Sequence, residues 1–264
     1  MTGEARGVLL TVAYDGRPFS GFAIQPNQRT VAGELLGALR AIDPAIREVR
    51  GASRTDAGVH ARGQRVAFDS AAGLPARGWA LATARHLPDE IAVRRAAFVR
   101  AGFVPRFESR GKHYRYLLLR DPVRDPFWTG RAWRLEGLGE DALAVAGQEA
   151  ALAVGTHDFA AFRSSADERV STVRTLRRVE VSVDPGDDRF VRIDVEGDAF
   201  LHNMVRILVG TIVDVARGRR PPGAIARALT SRDRRDAGIT APGEGLYLER
   251  VLLEDEGTEG WPGG

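Results

Sequence analysis

The sequence predicts an α+β protein made of two halves of similar element order. A central, mainly antiparallel sheet is flanked by helices, and a cleft runs between the halves. Three observations predict this. Strand-like and helix-like runs alternate before about Arg106 and again after it in a similar order. Several strand runs alternate polar and apolar residues with a period of two, the pattern of a half-buried antiparallel strand. The chain has 264 residues, 44% of them hydrophobic, enough to bury a sizeable core in one large domain or two modest ones.

The elements follow in order. Residues 8–13, VLLTVA, read as a buried strand, and YDGRPFSG as the turn and loop after it. Thr30 is placed to cap a helix whose apolar face is Val31, Leu35, Leu36 and Leu39, and Asp43-Pro44 ends it. The segment 52–64 leads into QRVAFD, where Gln64, Val66 and Phe68 alternate with Arg65, Ala67 and Asp69. PARGWALATARHLP reads as a helix closed by Pro88, and IAVRRAAFV as a strand. In the second half KHYRYLLL is a strand and DALAVAGQEAALAV a helix. VRTLRRVEVSV and FVRIDVEG form a hairpin around DPGDD. AFLHNMVRILVGTIVDVARG is the longest helical pattern, GLYLERVLLE is a closing strand, and the tail EGTEGWPGG reads as frayed. The expected organisation is therefore an N-terminal half over 1–105, a C-terminal half over 106–254, and a frayed tail over 255–264.

Composition narrows the chemistry. With no cysteine there are no disulfides, thiolate zinc sites or cysteine nucleophiles. No run approaches the roughly 18 apolar residues of a membrane helix, and MTGEARGVLL has no signal-peptide core, so a soluble cytoplasmic protein is expected. The net charge is +3, and Lys112 is the only lysine. Arginine grips phosphates and stacks on bases, but a GC-rich genome also writes arginine for lysine, so this bias alone does not decide for nucleic acid. His60, His86, His113, His157 and His202 form no pair with metal-ligand spacing. His157-Asp158 reads as a loop pair before a buried Phe159 rather than a catalytic dyad. No phosphate-cradling loop, dinucleotide fingerprint or nucleophile elbow is present. The chemistry left is free of cofactor and metal, and is run by Asp, Arg and Tyr.

The stretch GASRTDAGVHARGQ, ending at Gln64, sets Arg54, Asp56 and His60 between two predicted strands. Arg-Thr-Asp-Ala-Gly alone is no more than a surface turn carrying an Asp. The longer string resembles the catalytic motif of the tRNA pseudouridine(38–40) synthases, the TruA family. Other blocks resemble that family in the same order: TVAYDGRPFSGF, QPNQRTVAGEL, RFESRGKHYRYLL, DFAAFRSS, STVRTL, FLHNMVRILVGTIVDV and APGEGLYL. The resemblance spans roughly residues 8 to 252.

The resemblance implies the two-half pseudouridine synthase fold and conversion of uridine to pseudouridine in the anticodon stem-loop of tRNA. It also implies a homodimer in which one tRNA contacts both subunits. The bond from ribose C1′ to uracil N1 breaks, the base turns over, and C1′ rejoins to C5. By motif the essential carboxylate is Asp56. It either stabilises or adds to C1′, as glycosidase carboxylates do, or removes the ribose 2′ proton to give a glycal; both routes stay open. Arg54 matches the motif arginine, which holds Asp56 ionised or fills the space left by an extruded base; the competing reading is a structural salt bridge. Tyr114 matches the active-site aromatic, which stacks on uracil and whose hydroxyl is a candidate for deprotonating C5; the competing reading is a core tyrosine sharing a face with Tyr116. Arg206, in the His-x-Met-Val-Arg block, is implied to face the substrate, against an ordinary helix arginine. Leu246, in GLYL, is implied to wall the base pocket, against a plain core leucine.

The sequence departs from the family at Phe22-Ala23, where Trp-Gln is usual, and at Val31-Ala32-Gly33, where Val-Gln-Gly or Val-Gln-Glu is frequent. It departs also at Arg65, where an apolar residue is common, and at Val104-Pro105. These bear on RNA-contact loops, so a divergent paralogue with another target site is an alternative. So is a non-catalytic RNA-binding module of the same fold. A hydrolase using Asp56 ranks below both, because no partner carboxylate stands at a recognisable spacing.

Overall fold

The computed structural model describes residues 4–167 and 169–262. The chain divides into two units, Met1–Arg110 with Leu248–Gly264, and Gly111–Tyr247. Each is built on a largely antiparallel sheet with helices packed on it.

In the first unit the elements are β1 (Arg6–Tyr14), α1 (Val31–Ile42), β2 (Arg50–Gly51), β3 (His60–Ser70), α2 (Ala76–Ala84) and β4 (Ile91–Val99). The strand β1 lies between β3 and β4 and pairs antiparallel with both. Short β2 pairs with the middle of β3, Gly51 opposite Val66. Helix α1 forms where the sequence asks for it: the Thr30 side chain accepts from the Gly33 N–H. Val31, Leu35, Ala38 and Leu39 are buried at helical spacing, and the Asp43 N–H closes on the Leu39 carbonyl before Pro44. Phe68 of β3 and Trp79 of α2 meet edge to face at 5.0 Å in the core.

In the second unit the elements are β5 (Ser109–Leu119, starting just before the boundary), β6 (Trp133–Arg134), α3 (Glu140–Ala151) and β7 (Gly155–Asp158). There follow β8 (Val173–Val183), β9 (Phe190–Gly197), α4 (Met204–Ala216) and α5 (Ala224–Ser231). The antiparallel order is β5-β9-β8-β7, and β6 adds in parallel to β5. The expected hairpin around DPGDD is the β8–β9 turn, where the Asp184 N–H bonds the Phe190 carbonyl. Helix α4 is buried almost all round. The strand β10 (Leu246–Leu253) begins in this unit and continues in the first.

Four details differ from the sequence reading. The units divide inside β5, at Arg110, rather than at 105/106. The strand β3 begins at His60, so HARG is strand and not turn. Helix α4 begins only at Met204, because Asn203 takes a left-handed conformation, φ 61°, that no helix interior accepts. The tail, expected to be frayed, carries β11 (Thr258–Trp261), which pairs with β4; Gly263 and Gly264 lie outside the described residues. It is held by charge: the Glu256 carboxylate pairs with Arg65 and Arg95, and Glu259 with Arg6 at 2.9 Å. Among the described residues no helix is long and apolar enough to cross a membrane.

Candidate active site

Asp56 lies in the loop between Gly51 at the end of β2 and His60 at the start of β3. The loop is not a free surface turn. Thr55, the residue before Asp56, is buried, and its Oγ1 shares a 2.7 Å hydrogen bond with the Tyr14 hydroxyl at the end of β1. The Thr55 carbonyl accepts the Phe22 N–H at 3.0 Å, and the Asp56 carbonyl accepts the Val59 N–H at 3.2 Å. Asp56 itself is half-buried and Arg54 exposed.

The loop after β1 packs so closely on this segment that side chains are excluded. A Cβ on Gly16 would stand 2.1 Å from the Val59 carbonyl oxygen. Gly21 combines a φ of +100° with a Cβ position 2.8 Å from the Thr55 oxygen, and both facts call for glycine. The Gly-x-x-x-x-Gly spacing of the YDGRPFSG block is therefore the complement of the Asp56 loop. Phe22, where the family usually has Trp, is buried beside Gly51 and tilted against the Tyr14 ring at 6.4 Å. Arg65, another departure, is buried in the sheet, donating to Thr11 Oγ1 at 2.6 Å and pairing with Glu256. Its substitution is thus matched within this chain by the tail.

Three ionisable groups, Asp15, Arg17 and His60, meet where the two loops join. His60 is buried; its Nδ1 accepts the Gly16 N–H at 3.1 Å and lies 3.3 Å from Asp15 Oδ1. Burial pushes the Asp15 carboxyl up, but hydrogen bonds from the Arg17 side chain and backbone, with the Arg17 charge, outweigh it and bring the pKa down to about 2. Asp15 is therefore ionised at neutral pH and holds its own loop through Arg17, at 2.6 Å. Sequence reasoning passed over Tyr14, Gly16, Gly21 and Gln64. The signal available for the glycines was that both motif blocks, YDGRPFSG and ASRTDAG, carry them.

Tyr114, Arg206 and Leu246 belong to the second unit. Tyr114 is buried on β5, opposite Val195 of β9, with Phe200 edge to face on its ring at 5.1 Å. His113 and Arg115, on the other face of β5, both bond the buried Asp194 of β9, at 2.5 and 3.0 Å. Tyr116 shares the Tyr114 face, is fully buried and donates its hydroxyl to the Pro242 carbonyl at 2.7 Å. Burial pushes the Tyr116 phenol up, more than the nearby Arg206 charge pulls it down, so it remains a donor.

Arg206, half-buried in the first turn of α4, donates to the Ala241 carbonyl at 2.8 Å and to Asn203 Oδ1 at 2.8 Å, while its own carbonyl accepts the Ala241 N–H. Thr211 Oγ1 and Asp214 Oδ2 receive the N–H groups of Gly238 and Ile239. One face of α4 thus grips residues 238–241, and Tyr116 grips the next residue, ahead of buried Leu246. Arg206, Tyr116 and Leu246 are joined through this segment. His157 and Asp158 lie in β7 rather than a loop: His157 bonds the Val154 carbonyl and Asp158 bonds Thr172, not each other.

Arg54 and Asp56 lie in one loop of the first unit; Tyr114, Arg206 and Leu246 belong to the second. Among the described residues no group of three or more His, Asp or Glu side chains is placed to hold a metal ion.

The chain was compared with known proteins. A family model described as tRNA pseudouridine synthase matches residues 150–252. The protein named tRNA pseudouridine synthase A from Geobacter sp. (strain M21) is 42% identical over 252 residues, covering 95% of this chain and 100% of the relative. The protein of that name from Geobacillus kaustophilus (strain HTA426) is 43% identical over 249 residues, 93% of either chain. That from Brevibacillus brevis is 41% identical over 242 residues, 91% of this chain and 97% of the relative. With identity at this level running nearly end to end, and with the Asp56 motif built into a pinned loop, the chain belongs to the tRNA pseudouridine synthase A family.

Proposed function

We propose that this chain isomerises uridine to pseudouridine in the anticodon stem-loop of tRNA, at positions 38–40, with Asp56 acting at the ribose. The coarser statement rests on family membership: the chain is a tRNA pseudouridine synthase, an isomerase acting on RNA. The observation that supports the role given to Asp56 is its loop, fixed by the Tyr14 hydroxyl and by the glycine loop packed against it; positions 38–40 rest on the family resemblance. A carboxylate that must meet one sugar carbon needs such a fixed backbone; a carboxylate serving only as a surface charge does not.

In this reading C1′–N1 breaks, C1′–C5 forms, C5 loses its proton and N1 gains one, so no second substrate is consumed. Asp56 acts on C1′ or on the 2′ proton. Arg54, exposed two residues before Asp56, is free of the core and fits a role against the RNA, filling the place of an extruded base. The Tyr114 ring stacks on the uracil, Leu246 walls the pocket, and Arg206 contributes by holding the 238–241 segment as well as by its charge. The enzyme works in the cytoplasm as a homodimer, one tRNA touching both subunits.

The test is chemical mapping of pseudouridine in an unmodified tRNA transcript after incubation with the purified protein. Pseudouridine at positions 38–40 supports the proposal. Pseudouridine only elsewhere keeps the reaction and overturns the site, as expected of a divergent paralogue. No pseudouridine in any tRNA makes the chain a binding module.

A further inference from the structure

We propose that Gln64 is a positioning residue for the reaction: its carboxamide replaces a missing strand partner and fixes the backbone from which Asp56 projects. The proposal rests on the reading of Asp56 given above.

The hairpin of β2 and β3 ends at the pair Gly51 and Val66, followed by one more bond, Ala52 N–H to the Arg65 carbonyl at 2.8 Å. Here the chain leaves the sheet towards Arg54 and Asp56. Ser53 is buried, so its N–H and C=O both need partners. Gln64, with no exposed surface at all, supplies both: its Oε1 accepts the Ser53 N–H at 3.2 Å and its Nε2 donates to the Ser53 carbonyl at 2.7 Å. A primary carboxamide carries the same donor and acceptor as a peptide group, so the side chain extends the ladder by one step. Oε1 also accepts the Arg65 N–H at 3.2 Å, which locks the side chain to its own strand. With Thr55 bound to Tyr14 and Phe22, the backbone is fixed at residues 53 and 55, on both sides of Arg54 and directly before Asp56. Gln64 is too far inside to touch RNA. Its effect on the reaction runs through the Asp56 loop, and so through turnover rather than affinity.

The chemistry at position 64 gives a specific signature. Gln64→Leu removes both of these hydrogen bonds to the Ser53 backbone. Gln64→Glu is an isostere whose ionised form puts an acceptor against the Ser53 carbonyl, whereas its protonated form restores one donor and one acceptor. Burial raises that acid's pKa and brings the recovery into a usable range.

The experiment uses the full chain and an unmodified tRNA transcript, with single-turnover rate, tRNA affinity and thermal midpoint measured for Gln64→Leu, Gln64→Glu, Tyr14→Phe and Asp56→Asn. A displacement of about 1 Å at a reacting group costs on the order of 10²-fold. Gln64→Leu is expected to lose that much in rate with tRNA affinity nearly unchanged, and Tyr14→Phe to lose less in the same direction. The rate of Gln64→Glu relative to the parent is expected to rise as the pH is lowered. Folded Gln64→Leu turning over at the parental rate overturns the proposal, as does a loss of affinity matching the loss of rate. Should Gln64→Leu fail to fold, a pH-independent ratio for Gln64→Glu overturns it equally. If Asp56→Asn is inactive while the Gln64 and Tyr14 variants are parental, only the positioning role falls. If Asp56→Asn turns over like the parent, the reading of Asp56 falls and takes this proposal with it.

Discussion

The Asp56 loop and the Tyr114 strand are held by different physics. Tyr114 sits in a backbone ladder: β5 and β9 pair from Lys112 opposite Gly197 to Leu119 opposite Phe190, and no single side chain decides where it lies. Asp56 sits where the ladder has ended. Its place depends on individual groups: the Tyr14 hydroxyl, the Gln64 carboxamide, and the absence of side chains at Gly16 and Gly21. A strand tolerates loss of one contact because its neighbours keep the register. A loop pinned at a few points moves when one is lost. Single substitutions around Asp56 are therefore expected to shift the loop, and those around Tyr114 to leave the strand in place and change only local contacts.

The sharpest attempt to break this contrast is Gly16→Ala. The added Cβ would lie 2.1 Å from the Val59 oxygen and 2.5 Å from its carbonyl carbon, both backbone atoms, so the loop must shift. Turnover is expected to fall on the order of 10²-fold, the cost of misplacing a reacting group by about 1 Å. Parental turnover by the folded variant, measured with tRNA transcript, would remove the argument for a fixed loop.

Next in size is the pair Tyr114→Ala and Tyr114→Phe. Stacking on a base is worth about 1–3 kcal/mol, which Phe keeps and Ala loses. Tyr114→Ala also opens a cavity beside Phe200, at a stability cost of roughly 3–5 kcal/mol for a buried aromatic. Tyr114→Phe is expected to bind tRNA like the parent and turn over more slowly if the hydroxyl takes the C5 proton. Parental turnover would restrict Tyr114 to stacking; normal binding and turnover by Tyr114→Ala would make it a core residue only. Tyr116→Phe, on the same strand face, removes one hydrogen bond to the Pro242 carbonyl and is expected to cost about 1 kcal/mol of stability with little change in rate. Thermal unfolding and single-turnover kinetics separate the two.

The same contrast explains what was legible in the sequence. Regular elements came through: residues 91–99, 173–183 and 190–197 are strands over the runs that their patterns marked. The Thr30 cap and the stop at Asp43-Pro44 came through because they are local chemistry. His60 to Gly63 read as turn because glycine and polar residues dominate there, yet β1 supplies the partner that makes them strand. The strand β11 was hidden because its anchor, the pairing of Glu256 with Arg65, joins residues far apart in the chain. Asp56 was legible as a motif, but the groups holding it were not. Gln64 looks like one more polar residue on an alternating strand until its side chain is seen to serve Ser53.

The smallest effect expected is in pH. The Asp15 carboxyl titrates at about 2 in the folded chain, below its ordinary value of 3.8. Its contribution to stability is therefore present above the ordinary value and is lost as the pH falls through about 2. Asp15→Asn is expected to flatten the pH dependence of unfolding in that acid window and to leave it unchanged near neutrality. An unaltered acid profile, followed by circular dichroism, would mean that Asp15 is not held by Arg17 in solution.

The central claim is that the Asp56 carboxylate performs the reaction and the surrounding loop only aims it. Tritium release from uridine labelled at C5 in tRNA, compared for the parent and Asp56→Asn, tests it most directly. Asn is nearly isosteric, so it is expected to leave the fold and the tRNA-binding surface intact while removing the carboxylate proposed to act on the sugar. Asp56→Asn is expected to bind tRNA with close to parental affinity and to release no tritium above background. Release by Asp56→Asn at a rate near that of the parent would contradict it.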